Sequence, residues 1–231
     1  MQQTSGHTLK AFDQDIDRLR ALISQMGGLA EHAIGEAMRS LIQRDIEGAA
    51  RVVASDKKLD ALELETERRA VQLIALRAPM AGDLRDVVAA LKISGVVERI
   101  GDYAKNIAKR VPLIENATKI EPVSLLPEMA RIATGMVHDV LDAFIQRDAE
   151  VALQVCARDD AVDDFYDSIF RTLLTHMMEN PHNISHATHL LFVAKHLERI
   201  GDHSTNIAEM VYFAATGQHM ADRSGDEVRG G

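Results

Sequence analysis

Tryptophan is absent from the 231-residue chain, and the aromatic residues are three Tyr and six Phe, 4% of the total. Strands favour aromatic and β-branched side chains, so this is poor material for a β-sandwich or barrel. Cysteine occurs once, at Cys156, which excludes an internal disulfide and a multi-cysteine zinc site. Without a disulfide framework the expected compartment is the reducing cytoplasm. No run of about 18 apolar residues is present, so no segment is expected to span a membrane, and any membrane role would come through a partner. The polar stretch Met1 to Lys10 has no apolar signal-peptide core. Basic residues are outnumbered 26 to 35, a formal net charge of −9, which argues against nucleic acid as a partner.

What the chain does have is apolar material, 46%, enough for a substantial core of Ala, Leu, Ile, Val and Met. It also repeats itself. Glu98-Arg99-Ile100-Gly101-Asp102 returns 100 residues later as Glu198-Arg199-Ile200-Gly201-Asp202, and Asn106-Ile107-Ala108 as Asn206-Ile207-Ala208. Gln43-Arg44-Asp45 returns as Gln146-Arg147-Asp148, and Ala54, Asp56 and Asp60 as Ala157, Asp159 and Asp163, now at an offset of 103. A repeat this long is a duplicated domain, longer than a solenoid unit. Val97, Ile100, Ala104, Ile107, Ala108 and Val111 form one stripe of helical period. Helices are expected at about 8–43, 46–77 and 82–115, and again at about 124–146, 149–179 and 185–216. The turns hold Pro79 and Gly82 in one half and Asn180-Pro181 in the other, while Pro112, Pro122 and Pro127 crowd the connection between them. The expected fold is all-α, two tandem antiparallel three-helix bundles spanning 1–117 and 118–216, with a flexible tail over 217–231.

Acidic residues recur at i,i+4 spacing: Asp56/Asp60, Glu98/Asp102, Asp159/Asp163 and Glu198/Asp202. On a helix each pair points one way, one turn apart, and repels by a few tenths of a kcal/mol when solvated. Counting from the turn near residue 80, Asp60 lies level with Glu98 and Asp56 with Asp102, roughly 30 Å away at ~1.5 Å per residue. Asp163 with Glu198, and Asp159 with Asp202, stand likewise in the second half. Each half can therefore bring four carboxylates to one patch, with Asn106 or Asn206 one turn further as a neutral oxygen ligand. Clustered hard oxygens suit Mg²⁺, Mn²⁺, Ca²⁺ or iron. Glu98 and Asp102 lie opposite the apolar stripe, so the patches are expected on the exposed surface. Acidic residues on a polar helix face are ordinarily just solvated charge; the repetition at matching heights is what favours a functional patch.

Gly101 and Gly201 cost ~1 kcal/mol each in mid-helix, and their repetition points to a close helix approach or to space beside the carboxylates. His182, His186 and His189 have helix-face spacing that a metal could use, although Pro181 interrupts it. His203 adjoins Asp202, and Cys156 lies on an apolar stretch that suits a core position.

The doubled E-R-I-G-D-x-x-x-N motif, each copy preceded by D-x-x-x-D, resembles the PhoU family of phosphate-signalling proteins over about Phe12 to Tyr212. Asp83-Leu84-Arg85 and the segment Met136 to Phe144 are also similar to family motifs. The resemblance implies two three-helix bundles in a cytoplasmic, non-enzymatic, usually dimeric protein. It implies metal clusters, iron or zinc in some members, on Asp56, Asp60, Glu98, Asp102, Asp159, Asp163, Glu198 and Asp202. It further implies an adaptor between the phosphate ABC transporter, through its ATPase component, and a sensor histidine kinase. Such an adaptor keeps the phosphate-starvation response off and restrains phosphate uptake. Two departures set the halves apart: Asn183-Ile184-Ser185 stands where Asp-Leu-Arg would recur, and Lys195, which could pair with Glu198, replaces Gly95. Two other readings remain. A di-iron carboxylate oxidase needs inward-facing Glu and Glu-x-x-His ligands, and the one Glu-x-x-His, Glu179 to His182, contains Pro181. The third is a metal-free helical scaffold.

Overall fold

The computed structural model describes residues 4–114 and 124–220, with side chains from Phe12 onward. Eight α-helices are described: α1 Thr4–Gln43, α2 Ile46–Ser55, α3 Lys57–Arg77, α4 Ala81–Ala108, α5 Leu126–Gln146, α6 Ala149–Ala157, α7 Asp159–Glu179 and α8 Ile184–Thr216. Short 3₁₀ turns stand at Val111–Ile114 and Pro181–Asn183. The described residues contain no strand.

The second helix of each bundle, expected as one rod over 46–77 and 149–179, is broken at Asp56 and at Arg158. Neither break holds Pro or Gly, so helix propensity gives no warning of them. The backbone instead tightens locally. Leu59 N donates to Asp56 O at 2.8 Å while the ordinary α-helical bond, Asp60 N to Asp56 O, stretches to 3.4 Å. Arg158 N reaches Val155 O at 3.1 Å, and Ala161 N reaches Arg158 O at 3.1 Å, the same three-residue spacing. The consequence is functional: the first acidic residue of each D-x-x-x-D pair sits at the head of a new helix.

The repeated Gln-Arg-Asp is a stop followed by a start. Arg44 and Arg147 take the left-handed conformation, φ +57° and +56°. The next residue caps a helix: Asp45 accepts from Gly48 N at 2.8 Å, and Asp148 accepts from Glu150 N at 2.9 Å and Val151 N at 3.1 Å. Helix α4 ends at Ala108 rather than near 115, because Pro112 cannot continue it and the chain turns 3₁₀.

Helices α1, α4, α5 and α8 pack on one another in the centre; α2 and α3 flank α1 and α4, and α6 and α7 flank α5 and α8. Ile23, Met26, Ile34 and Ile100 from one half are fully buried in the same cluster as Met129, Met136, Leu197 and Ile207 from the other. Each such side chain contributes ~1.5–3 kcal/mol, so the halves are joined by a shared core. Cys156 is buried, as expected. The expected boundary at 117/118 lies outside the described residues. Of the expected tail, Gly217 closes α8 at φ +76°, His219 stacks on Phe213 and Met220 packs against the core; 221–231 lie outside the described residues.

Candidate functional site

Helix α3 lies against α4, and α7 against α8, in the register that the acidic spacing required. The two repeated glycines make that approach possible. A Cβ on Gly101 would stand 2.3 Å from Leu59 Cδ1; one on Gly201 would stand 3.2 Å from Asp159 Oδ1 and 3.4 Å from Val162 Cγ1. Both halves therefore use the missing side chain to seat the head of α3 or α7 directly on the motif helix.

In the first row Asp56, Asp60, Glu98 and Asp102 face a common strip, and Glu63 joins them from the next turn of α3. The Glu98 carboxyl is pushed up to about 7, by burial first and then by the charges of Asp102, Glu63, Asp60 and Asp56. Glu63 is a member that repetition could not reveal, because Tyr166 stands at its equivalent position. Its carboxylate has room because its neighbour is Gly95: a Cβ there would lie 3.2 Å from Glu63 Oε1. The row also contains its own cation. Lys105 Nζ donates to Asp56 Oδ2 at 2.5 Å and to Asp102, joining α3 to α4. Burial works against the Lys105 charge, but the hydrogen bonds to Asp102 and Asp56 outweigh it and hold its pKa above the ordinary value.

The second row is built from Asp159, Asp163, Glu198 and Asp202. Burial, then the charge of Asp202, raises the Asp163 pKa. Lys195 donates to Glu198 Oε1 at 2.5 Å and lies 5.1 Å from the centre of the Tyr166 ring, realising the pairing expected from sequence. Arg199 reaches Asp202 at 3.3 Å. Glu198 Oε2 is buried without a hydrogen-bond partner.

The expectation of exposed patches is corrected for part of each row. Asp60 and Asp163 are exposed, but the Asp56 side chain is only 10% exposed and that of Glu198 13%. The breaks at Asp56 and Arg158 fold the helix heads inward over Gly101 and Gly201 and so partly cover the rows. Among the described residues no three His, Cys, Asp or Glu side chains converge as a ready ligand set. The carboxylates are spread along each helix pair rather than gathered around a point, with Lys105 bridging two of them in the first row and Lys195 bonded to Glu198 alone in the second. Their chemistry nevertheless fits a hard cation: every donor is oxygen, Glu98 in the first row is surrounded by other carboxylates, and Glu198 Oε2 in the second is buried without a hydrogen bond, although Arg199 Nε lies 3.9 Å from it. Asn106 is half-buried at one end of its row, while Asn206 is exposed and turns 3.5 Å from His203.

Comparison with known proteins shows what the doubled architecture is. The PhoU domain model matches this chain twice, over 23–111 and 126–211. The chain belongs to the PhoU family. The phosphate-specific transport system accessory protein PhoU homolog of Zymomonas mobilis is 57% identical over 95% of this chain and 92% of its own length. The PhoU of Serratia marcescens, named likewise as an accessory protein, is 36% identical over 96% and 91%. The crystal structure of PhoU from Pseudomonas aeruginosa superposes with a TM-score of 0.85 at 33% identity, over 90% of this chain and all of that one. That of Streptococcus pneumoniae, described as a phosphate transport system regulatory protein, gives 0.84 at 27% identity, covering 91% of this chain and 99% of that one.

The two PhoU units meet along α4 and α8. Tyr103 and His203, equivalent by duplication, bond to each other at 3.2 Å and stack with ring centres 5.4 Å apart. His196 also lies against Tyr103, and its pKa falls to about 4 through burial and then the charge of Arg110. Arg110 stands 4.1 Å over the Phe192 ring and 3.2 Å from His189. His189 is thus turned to Arg110, and His182 lies in the 3₁₀ turn before α8, so the helix-face spacing of His182, His186 and His189 that Pro181 interrupts does not gather the three into one group. No described helix is long and apolar enough to cross a membrane.

Proposed function

We propose that this chain is an accessory regulator of a phosphate-specific transport system, working through protein contacts rather than catalysis. Similarity along nearly the whole chain carries the reading: 57% identity across 95% of its residues to a relative whose name states that role. In this role the chain contacts the ATPase component of the phosphate ABC transporter and a sensor histidine kinase from the cytoplasmic side, as a homodimer. It holds the starvation response off and restrains uptake when phosphate is plentiful. The acidic rows take metal ions, with iron or zinc following the family resemblance and Mg²⁺ or Mn²⁺ suiting the donors. Asp56, Asp60, Glu98 and Asp102 with Asn106 would hold one set, and Asp159, Asp163, Glu198 and Asp202 with Asn206 the other. A bound ion would supply positive charge that offsets the carboxylates' mutual repulsion. The oxidase alternative finds no support in the geometry: Glu179 ends α7 and His182 lies beyond Pro181, in a different element.

The role is tested by affinity capture from cells grown at high and low phosphate, with mass spectrometry of what is retained. The transporter ATPase and a histidine kinase are the expected partners; recovery of neither in either condition refutes the adaptor role. The metal reading is tested separately. Glu98→Ala with Asp102→Ala should lower the bound metal measured by elemental analysis while far-UV circular dichroism stays helical. Unchanged metal content removes the first row from the site.

A further inference from the structure

We propose that Lys105 is a tethered cation that competes with metal for the first acidic row, so that a hard divalent ion takes that row only by displacing its ammonium. The inference rests on the metal-binding reading above and concerns a residue that the repeated motif does not contain. Lys105 places its ammonium between the two elements of the row, with one hydrogen bond to Asp56 at the head of α3 and one to Asp102 on α4. An ion bound by both carboxylates has to occupy that same place. Charged N–H···O contacts span ~2.7–2.9 Å and Ca²⁺–oxygen contacts ~2.3–2.6 Å, so the two cations suit nearly the same pair of oxygens and exclude each other.

The second half is arranged differently. Thr205 stands where Lys105 would recur; it is neutral, and its hydroxyl donates to the backbone Asp202 O at 2.7 Å. The lysine of that half, Lys195, sits three turns earlier on α8, bonded to Glu198 of its own helix and lying over Tyr166. It neutralises one carboxylate without joining α7 to α8 through a carboxylate pair. The first row thus carries its ammonium at the position that Thr205 occupies in the second, where the cations are instead Lys195 on Glu198 and Arg199 on Asp202. One ammonium does not balance the first row: Asp60, Glu63 and Glu98 stand beside the pair it holds, so an ion that displaces Lys105 still meets a strongly negative strip.

The experiment is Mn²⁺ titration of the full chain, freed of metal, by calorimetry and by loss of the free-Mn²⁺ electron paramagnetic resonance signal. Lys105→Thr, which installs the residue of the second half, should tighten Mn²⁺ binding at least roughly tenfold, the scale expected when a neighbouring unit charge is removed. Adding Glu98→Ala and Asp102→Ala to Lys105→Thr should abolish that gain, which places it in the first row. Lys105→Arg, which keeps the charge, should show no gain; it also controls for loss of packing if the threonine variant is less stable. Mn²⁺ affinity in Lys105→Thr equal to or weaker than wild type, with binding still present, overturns the role of Lys105 alone. Absence of Mn²⁺ binding in every form overturns the metal reading and this inference together.

Discussion

At the residue scale the sharpest sequence signal was the smallest side chain. Gly101 is tolerated in the middle of a 28-residue helix because Leu59 occupies the space its side chain would take. Leu59 is itself buried, so it cannot swing into solvent. Gly101→Ala should therefore cost stability by about 1 kcal/mol, overpacking of about 2 kcal/mol against Leu59 exceeding the ~1 kcal/mol gain in helix propensity. With Leu59→Ala already made, the same change should become stabilising, since only the propensity gain remains. Urea unfolding of the four forms measures this; the same sign in both backgrounds would show that Leu59 is not the obstacle. Repetition exposed this glycine and the eight motif carboxylates because both halves needed them. Lys105 and Glu63 escaped, being replaced by Thr205 and Tyr166. A residue used in one half alone leaves no echo to read, and only the assembled rows disclose it.

At the scale of the element, the helices and their antiparallel register were legible because hydrophobic period and turn residues agree with each other. The breaks at Asp56 and Arg158 were not. They interrupt helix-favouring sequence, and their cause is long-range: the heads of α3 and α7 are drawn toward the bare backbone of Gly101 and Gly201 on a helix about forty residues away in sequence. Ser55 assists locally, its hydroxyl bonding back to Val52 O at 2.8 Å. This explains why the acidic strip was expected on the exposed surface and proves half-buried. A straight rod would have carried Asp56 along the outer face, whereas the bend tucks it against α4. Partial burial, in turn, is the largest influence on the Glu98 carboxyl, ahead of any single neighbouring charge.

For the whole molecule, the question is what makes two copies of one unit behave as a single body. The shared apolar core does most of it. Two polar contacts add specificity at opposite ends of the contact between halves. Buried Asp86 on α4 accepts from Arg20 at 3.1 Å and pairs at 3.4 Å with Arg147, the left-handed residue of the second half. The other contact is the α4–α8 crossing around Tyr103, His196 and His203. His196 has a buried Nε2 without a hydrogen-bond partner, and Val96 stands at its equivalent position in the first half. Its pKa of about 4 in the folded chain lies below the ordinary 6.5 of an unfolded one. Between those values the unfolded chain binds the extra proton, so the contribution of neutral His196 is fully present above about pH 6.5 and is lost as pH falls toward 4. The shift corresponds to an upper bound of about 3 kcal/mol. His196→Val, borrowing the residue of the other half, should remove that sensitivity. Urea unfolding at pH 7.5 and at pH 5 should show wild type losing on the order of 1–2 kcal/mol more than the variant. Asp86 and Glu98 titrate in the opposite sense in both proteins and cancel in the difference. An equal loss in the two proteins would mean that His196 is hydrated in solution and that the crossing does not hold it neutral.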